Sequence, residues 1–199
     1  MTGPNTCLIV GNGAVSQALQ RDLKAKVFKR GDSIDEHRYA CAIDLIVAAP
    51  SAKKHFADAN PVVDADECSK LLNTINTILK FNEINSFMVL STIDVYGDLS
   101  SEGLTEKDFA PINRLSVYGA NRAWLERMFI ELGASITRLP TVFGSTMNKG
   151  VIFDIIHNDC RFLPNQNSEM QFFDLINLKS ILDFQLVQKI RILNIAPPQ

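Results

Sequence analysis

Short apolar runs alternate with segments of helical periodicity along most of this chain, and this alternation strongly limits its fold. The runs lie in five segments that are predicted to be strands: "CLIV", "AKVFKRGD", "AIDLIVAAP", "SFMVLSTIDVYG" and "ASITRLPTVFG". They are almost continuously apolar, which is typical of strands that are buried on both faces of a parallel sheet. Between them, residues 64–82 place apolar side chains near a period of 3.6, which predicts a helix. We therefore predict an α/β fold, a doubly wound parallel sheet of the Rossmann-like type.

The pattern weakens after residue 144. The segment "GVIFDIIHNDCRFL" is compatible with a helix followed by a strand, and "MQFFDLINLKSILDFQLVQ" with a short strand that leads into a helix. The segment "IRILNIAPPQ" predicts a last strand. These residues are expected to form a small C-terminal extension of the sheet.

Composition excludes several classes of function. Of the 199 residues, 46% are hydrophobic and 21% charged, and the formal net charge of −2 provides no basic field for nucleic acid. No apolar run approaches the roughly 18 residues of a membrane span, and the N-terminus lacks the pattern of a secretory signal. Cys7, Cys41, Cys68 and Cys160 are scattered, without a C-x-x-C motif or a nearby histidine. They predict reduced thiols in the cytoplasm and no metal site.

A glycine-rich turn, Gly11-Asn12-Gly13, connects the first predicted strand to the first predicted helix. This context is the one that a dinucleotide-binding fingerprint requires. Gly11 would permit the tight turn, and Gly13 would let backbone N–H groups approach a pyrophosphate at the start of the helix. Ser16 stands where the fingerprint has its third glycine, and its small side chain is expected to preserve the turn. A plain strand-to-helix turn is the simpler alternative.

The end of the second predicted strand bears on the choice of dinucleotide. A site for NAD has an acidic residue about 20 residues after the glycines, which binds the adenosine ribose. Here Lys29 and Arg30 end the strand, and Asp32 follows Gly31. Two cations favour a 2′-phosphate and hence NADP, whereas Asp32 could still bind the ribose of NAD.

Five motifs in one order carry a resemblance to a known family. They are "LIVGNGAVSQAL", "DLIVAAP", "FMVLSTIDVYGD", "VYGANRAWLE" and "ITRLPTVFG". Together they resemble the extended short-chain dehydrogenase/reductase family, the NAD-dependent epimerase/dehydratase group that acts on nucleotide-activated sugars. The resemblance covers about residues 6 to 144. It implies a dinucleotide-binding domain over 1–144 and a short segment over 145–199 that completes the sheet and forms a reduced substrate region. The cofactor-binding residues it implies are Gly11, Asn12, Gly13, Ala14, Val15, Lys29, Arg30, Ala48, Ala49 and Pro140.

The resemblance also implies three catalytic residues. Tyr118 matches the family's catalytic tyrosine, Thr92 its serine or threonine, and Arg122 stands where the family has lysine. Because Tyr118 and Arg122 are four residues apart on a predicted helix, their side chains share one face. Transfer of a hydride to or from a carbinol carbon needs a proton moved at its oxygen, and a nearby cation is expected to lower the pKa of the tyrosine that moves it.

The sequence departs from the family pattern in three places. Arg122 keeps the charge of lysine but cannot relay a proton, so we expect it to bind the cofactor ribose and to leave proton delivery slow. Ile93 replaces the acid of the sugar-nucleotide 4,6-dehydratases, so dehydration is not expected. Only 55 residues follow Gly144, where the family has a larger substrate lobe. The sugar site is therefore expected to be abbreviated, shared with a partner, or absent from this chain.

Two functions from different classes follow. The first is an NAD(P)-dependent reductase or epimerase of a nucleotide-activated sugar. The second is a catalytically silent NAD(P)-binding sensor or assembly partner, which Arg122 and the short C-terminal region favour. A homodimer is also compatible with the resemblance, through helices around residues 66–82 and 116–132. Leu125, Phe129 and Leu132 could supply its apolar surface, or could instead pack against the sheet.

Overall fold

A computed structural model describes residues 6–97, 103–158, 165, 167 and 169–196. Its main sheet has six parallel strands in the spatial order β2–β1–β3–β4–β5–β8, and β6 and β7 form a separate two-stranded sheet. The strands are β1 (Thr6–Val10), β2 (Lys26–Phe28), β3 (Ile43–Val47), β4 (Ile84–Thr92), β5 (Ser135–Leu139), β6 (Thr141–Phe143), β7 (Phe172–Asp174) and β8 (Ile192–Asn194). The predicted doubly wound parallel sheet is confirmed.

Helices cover both faces of this sheet. They are α1 (Ala14–Leu23), α2 (Lys54–Ala59), α3 (Pro61–Phe81), α4 (Val117–Glu131), α5 (Val151–Ile156) and α6 (Leu178–Val187). One apolar cluster joins α3 and α4 to the sheet through side chains such as Ile75 and Phe129, and a second joins α1 and α6 through Leu19 and Leu182. The continuous apolar character of the strands therefore follows from burial on both faces.

The sheet has its topological switch point between β1 and β3. The chain moves from β1 to β2 on one side and then to β3 on the other. In open α/β sheets, ligands bind outside the carboxyl ends of the strands at such a point. Here the carboxyl ends of β1 and β3 bring the glycine turn at Gly11 beside Ala48.

Two predicted strands are shorter than the sequence pattern indicated. The second ends at Phe28, so Lys29 and Arg30 lie in the turn that follows it. The fifth is divided at Pro140, which separates β5 in the main sheet from β6 in the small sheet. Proline has no backbone N–H for a strand ladder, so a single strand does not continue through that position.

The C-terminal elements follow the sequence closely. α5, β7, α6 and β8 occupy the predicted helix, strand, helix and last strand, and β8 extends the main sheet beside β5. The strand predicted around residues 160–163 lies outside the described residues, as does Cys160. Of the described cysteines, Cys7 and Cys68 are buried and Cys41 is exposed, all as free thiols.

Leu125 and Phe129 cannot supply the surface of a dimer. They are 3% and 0% exposed, because both point from α4 into the apolar cluster on the sheet. Leu132 is exposed, and Val62 of α3 and Trp124 of α4 are exposed as well. The alternative in which these α4 residues pack against the sheet is therefore correct for Leu125 and Phe129.

Across the part of the chain that the structure describes, no helix has both the length and the apolar character to cross a membrane. The cytoplasmic location stays a prediction.

Candidate active site

The glycine turn depends on Gly11. Its φ of +123° lies in a region that side chains disfavour, and a Cβ at this position would approach the Ala48 carbonyl oxygen to 2.5 Å. The Gly11 N–H donates to the Phe28 carbonyl at 3.0 Å, and the Ala48 N–H donates to the Val10 carbonyl at 2.9 Å. These contacts seat the turn among the ends of β1, β2 and β3, so Gly11 has a structural role in the turn.

Gly13 has a different role, because space is open around it. It is the N-cap of α1, and a Cβ there would meet no heavy atom within 4 Å. Among the described residues no side chain caps the helix, and its first turn contains no acidic residue. The free N–H groups and the positive end of the helix dipole therefore face a space in which an anion can bind. This geometry fits the pyrophosphate of a dinucleotide.

Ser16 fits into the turn in place of the third glycine of the fingerprint. Its side chain is buried, and its Oγ lies 3.2 Å from the position of a Cβ on Gly11. Within the described part of the chain, this hydroxyl has no hydrogen-bond partner. The small side chain thus preserves the close packing of α1 on the turn, as predicted.

The turn after β2 contains both charge signs. Asp32 accepts a hydrogen bond from the Lys29 backbone N–H at 2.8 Å and lies 3.6 Å from His37 Nε2. Arg30 forms an ion pair with Glu67 of α3 at 3.0 Å, although its own side chain is largely exposed. The two predicted cations and the competing acid are therefore within one short turn beside Gly11.

The remaining predicted cofactor residues lie at carboxyl ends of strands. Ala48 and Ala49 follow β3, and Ala48 forms the wall against which Gly11 packs. Pro140 is buried between β5 and β6. Asn12, Ala14 and Val15 belong to the turn and the start of α1. Their roles toward a cofactor stay predictions.

Tyr118 lies at the start of α4, and its ring is buried at 7% exposure. Ser116 caps the helix by accepting from the Gly119 N–H at 3.1 Å, and Asp58 of α2 accepts from the Tyr118 N–H at 2.9 Å. Arg122 stacks on the tyrosine, with its guanidinium carbon 4.2 Å from the centre of the ring. The side chains of Tyr118 and Arg122 therefore meet on one helix face, as their spacing predicted.

Both terminal nitrogens of the Arg122 guanidinium have acceptors within the protein. Nη1 and Nη2 donate to the two carboxylate oxygens of Asp64 at 2.8 and 3.0 Å. Nη2 also donates to the Ser51 carbonyl at 2.8 Å, and Nη1 lies 3.3 Å from Cys68 Sγ. Arg122 is 5% exposed. Binding of a cofactor ribose by Arg122 stays a prediction, and it would have to share donors that already have acceptors.

Burial raises the pKa of Tyr118 above its ordinary value. Arg122 acts in the opposite direction, whereas the carboxylates of Asp94 and Asp64 add to the effect of burial. The net direction is opposite to the lowering that the cation alone was expected to cause. The difference arises because loss of water disfavours a phenolate more strongly here than the paired cation favours it.

Thr92 lies at the end of β4, close to the start of α4. A Cβ on Gly119 would approach the Asp94 carbonyl oxygen to 2.5 Å, so this glycine allows α4 to pack directly on the 3₁₀ segment Ile93–Tyr96. Thr92 Oγ1 donates to Asp94 Oδ2 at 2.9 Å and accepts from the Asp94 N–H at 3.2 Å. The other carboxylate oxygen of Asp94 forms a short ion pair with Lys54. The fold thus brings the Thr92 and Tyr118 motifs together.

Two groups of buried charges were not foreseen from the sequence. One is Asp64. The other is Arg138 of β5, which is fully buried and donates to the Glu126 carboxylate at 2.7–3.1 Å and to Tyr96 Oη at 2.6 Å. An arginine in the middle of the apolar run "ITRLP" was a signal for a buried partner. Asp64 gave no such signal, because an acid in the first turn of a helix is common.

Comparison with solved structures supports this description of the fold. RMD from Pseudomonas aeruginosa, complexed with NADPH, superposes with a TM-score of 0.77 at 17% identity, over 98% of this chain and 79% of that one. UDP-N-acetylglucosamine 4-epimerase from Methanobrevibacter ruminantium gives 0.75 at 14% identity, over 96% and 76%. A GDP-L-fucose synthetase from Naegleria fowleri, bound to NADP, gives 0.74 at 14% identity, over 100% and 79%.

No protein-family model and no curated protein sequence matches the chain. The structural matches cover nearly the whole chain, and this chain spans 76–79% of each of the three solved structures. The sequence motifs and these matches agree on one architecture. The chain therefore shares the Rossmann-like α/β fold of these solved structures, which is the fold that the resemblance in its sequence implies.

Proposed function

We propose that this protein is an NAD(P)-dependent reductase or epimerase that acts on a nucleotide-activated sugar. The observation that carries the proposal is the open helix start at Gly13, which lies at the same edge of the sheet as Thr92 and Tyr118. Transfer of a hydride and a proton requires a binding site for the dinucleotide pyrophosphate and an acid/base residue at the same carboxyl edge of the sheet. The solved structures of similar fold include complexes with NADPH and NADP.

Each catalytic candidate has a specific role in this proposal. When bound, the dinucleotide supplies or accepts a hydride. Tyr118 moves the proton at the substrate oxygen, and Thr92 orients that oxygen through its hydroxyl. Arg122 packs against the tyrosine ring and influences its charge state. Ile93 provides no acid, so dehydration across C4 and C6 of a sugar nucleotide is not part of the proposed function. Detection of a 4-keto-6-deoxy product from a sugar nucleotide that carries a 6-hydroxyl group would contradict this exclusion.

Two measurements test the proposal in order. Calorimetry with NADPH, NADP, NADH and NAD determines whether a dinucleotide binds. Absence of binding to the intact protein would refute the proposal. Nicotinamide absorbance at 340 nm, together with chromatography of the sugar products, then reports turnover on a panel of nucleotide sugars. Binding without turnover on this panel would favour the alternative, a catalytically silent NAD(P)-binding protein, for which the pairing of Arg122 with Asp64 is the supporting observation.

We also propose that two copies associate through the outer faces of α3 and α4. Val62, Trp124 and Leu132 are exposed there and supply apolar surface, in place of the buried Leu125 and Phe129. Sedimentation at micromolar concentration tests this, with Trp124→Glu as the disrupting variant. A monomeric wild-type protein would refute it.

A further inference from the structure

Asp64 neutralises Arg122 directly beside the tyrosine, and this arrangement points to one direction of reaction. We propose that Asp64 is a positioning residue that keeps Tyr118 a proton donor, so that the site reduces a keto form of a nucleotide-activated sugar rather than epimerising its alcohol. The inference rests on the proposed function, and it specifies both the direction of reaction and the class of substrate.

Asp64 and Arg122 form a bidentate ion pair in the interior of the protein. The carboxylate of Asp64 takes one hydrogen bond from each terminal nitrogen of Arg122, at 2.8 and 3.0 Å, and both side chains are about 95% buried. Asn121 donates a further hydrogen bond to the same carboxylate at 2.8 Å. This arrangement holds the guanidinium beside the Tyr118 ring, with its central carbon 4.2 Å from the ring centre, and divides its hydrogen bonds between the carboxylate and the Ser51 carbonyl.

The charges linked to the tyrosine sum to a negative value. Five charged groups contact it, act on its charge state or pair with a group that does, and they come from four segments: Lys54 and Asp58 from α2, Asp64 from α3, Asp94 from the 93–96 segment, and Arg122 from α4. Three of these five groups are carboxylates and two are cations, so the local sum is −1. A phenolate would add a second negative charge to a buried site, which is unfavourable. Without Asp64 the sum would be 0, and the arginine would be unpaired.

Burial and these charges together determine the protonation state of Tyr118. Burial raises the pKa of Tyr118, Asp94 and Asp64 add to that effect, and the opposing effect of Arg122 does not reverse it. The tyrosine is therefore protonated throughout the neutral range. The geometry of the ion pair and the charge count likewise favour the protonated form of Tyr118.

Reduction of a carbonyl and oxidation of an alcohol need opposite protonation states of Tyr118. In reduction, a hydride from the reduced dinucleotide adds to the carbonyl carbon while the Tyr118 hydroxyl gives its proton to the oxygen. The C=O bond becomes C–OH, the dinucleotide is oxidised, and solvent returns a proton to the tyrosine. Epimerisation of an alcohol, and its oxidation, must begin with a phenolate that removes a proton. A tyrosine that stays protonated at neutral pH can donate a proton in reduction, but it cannot remove one to start oxidation or epimerisation.

The direct test measures the ionisation of Tyr118 without cofactor or substrate. The ultraviolet titration of the wild type, minus that of Tyr118→Phe, isolates this tyrosine from Tyr39 and Tyr96. We expect its midpoint above the ordinary value of about 10. In Asp64→Asn the midpoint should move to lower pH, because the cation is no longer neutralised. Asp66→Asn is the matched control on the same helix, since Asp66 forms an exposed pair with Lys70, and it should leave the midpoint unchanged.

Asp64→Asn leaves a buried arginine unpaired, and this variant could fail to fold. A second variant keeps the test possible in that case. In Asp64→Asn/Arg122→Lys, a lone lysine stands beside the tyrosine, and the midpoint should again fall. If neither variant folds, the wild-type titration decides alone. A wild-type midpoint below the ordinary value, or an unchanged midpoint in a folded variant, would overturn the inference.

Kinetics provide the functional readout. A nucleoside-diphosphate 4-keto-6-deoxyhexose with NADPH measures reduction in single turnover, and the matching alcohol with NADP measures oxidation. At pH 7 the ratio of the oxidation rate to the reduction rate should rise about tenfold in Asp64→Asn for each unit by which the midpoint falls. An unchanged ratio despite a lowered midpoint would overturn the reductive assignment. If no dinucleotide binds but the titration behaves as expected, the proposed function fails while the effect of Asp64 on Tyr118 stands.

Discussion

Arg122 of α4 and Asp64 of α3 hold each other through two parallel hydrogen bonds in the interior of the protein, directly beside Tyr118. The two residues are 58 positions apart in sequence, so the ion pair joins two helices as well as two charges. It fixes the start of α4 against α3 at the edge where the glycine turn and Thr92 lie. Stability and chemistry are therefore coupled through one side-chain pair.

Removal of one member of this pair should destabilise the protein strongly. Asp64→Ala or Arg122→Met leaves the other charge buried without its partner, which costs about 3–5 kcal/mol. The double variant Asp64→Leu/Arg122→Met should cost less than the sum of the single changes, because no charge is then stranded. Urea unfolding measures all three. Asp66→Ala, on an exposed part of the same helix, should change the free energy of unfolding by less than about 0.5 kcal/mol.

The same pair should make the protein sensitive to acid. Hydrogen bonds from Arg122 and Asn121, together with the charge of Arg122, outweigh burial and lower the pKa of Asp64 below its ordinary value. A carboxyl with a lowered pKa in the folded state stabilises the protein above its unfolded value near pH 4, and this stabilisation is lost as pH falls through the folded value. The free energy of unfolding should thus decline below about pH 4. A decline of equal steepness in Asp64→Asn would assign the effect to other carboxylates.

Substitution of the two glycines of the turn should affect different properties: Gly11→Ala should lower stability, and Gly13→Leu should prevent dinucleotide binding. Gly11→Ala places a Cβ against the Ala48 carbonyl at a positive φ, and should cost about 1–3 kcal/mol of stability. Gly13→Leu meets open space and an ordinary φ of −83°, so the fold should survive with a loss of about 1 kcal/mol or less. Its side chain would nevertheless occupy the seat of the pyrophosphate, and calorimetry should detect no dinucleotide binding. Normal binding by Gly13→Leu would show that the pyrophosphate does not lie there.

Local patterns in the sequence were sufficient to predict much of the fold and part of the site. The apolar runs located the strands, because burial on both faces removes polar residues from them. The spacing of Tyr118 and Arg122 placed them on one helix face, because an α-helix repeats every 3.6 residues. The glycine turn was recognisable because Gly11 adopts a conformation that few other residues tolerate.

Long-range relationships were not predictable in the same way. Asp64 contacts Arg122 only after α3 and α4 pack side by side, and no local spacing encodes that contact. We expected the pKa of Tyr118 to be lowered, because the sequence shows the cation Arg122 four residues away. It shows neither the burial of the tyrosine nor the neutralising carboxylate of Asp64, and the pKa is raised. The division of the fifth strand at Pro140 could have been recognised from the missing N–H alone.

The cofactor preference should be set in the turn after β2. We expect NADP to bind about tenfold or more tightly than NAD, because each hydrogen bond from a cation to phosphate contributes about 1.5–3 kcal/mol. Lys29→Ala should remove most of this difference. Arg30→Ala should remove less, since Arg30 already pairs with Glu67. Lys26→Ala, at the exposed start of the same strand, is the control. Equal affinities in the wild type, or a preference for NAD, would identify Asp32 as the residue that reads the ribose.

A comparison of two tyrosines separates chemistry from structure. In each case an arginine lies over the ring, with Arg122 at 4.2 Å from the centre of Tyr118 and Arg138 at 4.9 Å from that of Tyr96. The Tyr96 hydroxyl accepts from Arg138 and donates to the Thr105 carbonyl or to Asn194, so it links the ends of several elements. Tyr96→Phe should therefore cost about 1.5–3 kcal/mol of stability, because a buried cation loses an acceptor.

Tyr118→Phe should behave in the opposite manner. The ring remains beneath Arg122, so the free energy of unfolding should change by less than about 1 kcal/mol, and dinucleotide affinity should be retained. Turnover should be lost, since only the group that moves the proton is removed. The measurements are urea unfolding, calorimetry and nicotinamide absorbance on both variants. Substantial turnover by Tyr118→Phe would remove this tyrosine from the mechanism, whatever the effect of Asp64 on its ionisation.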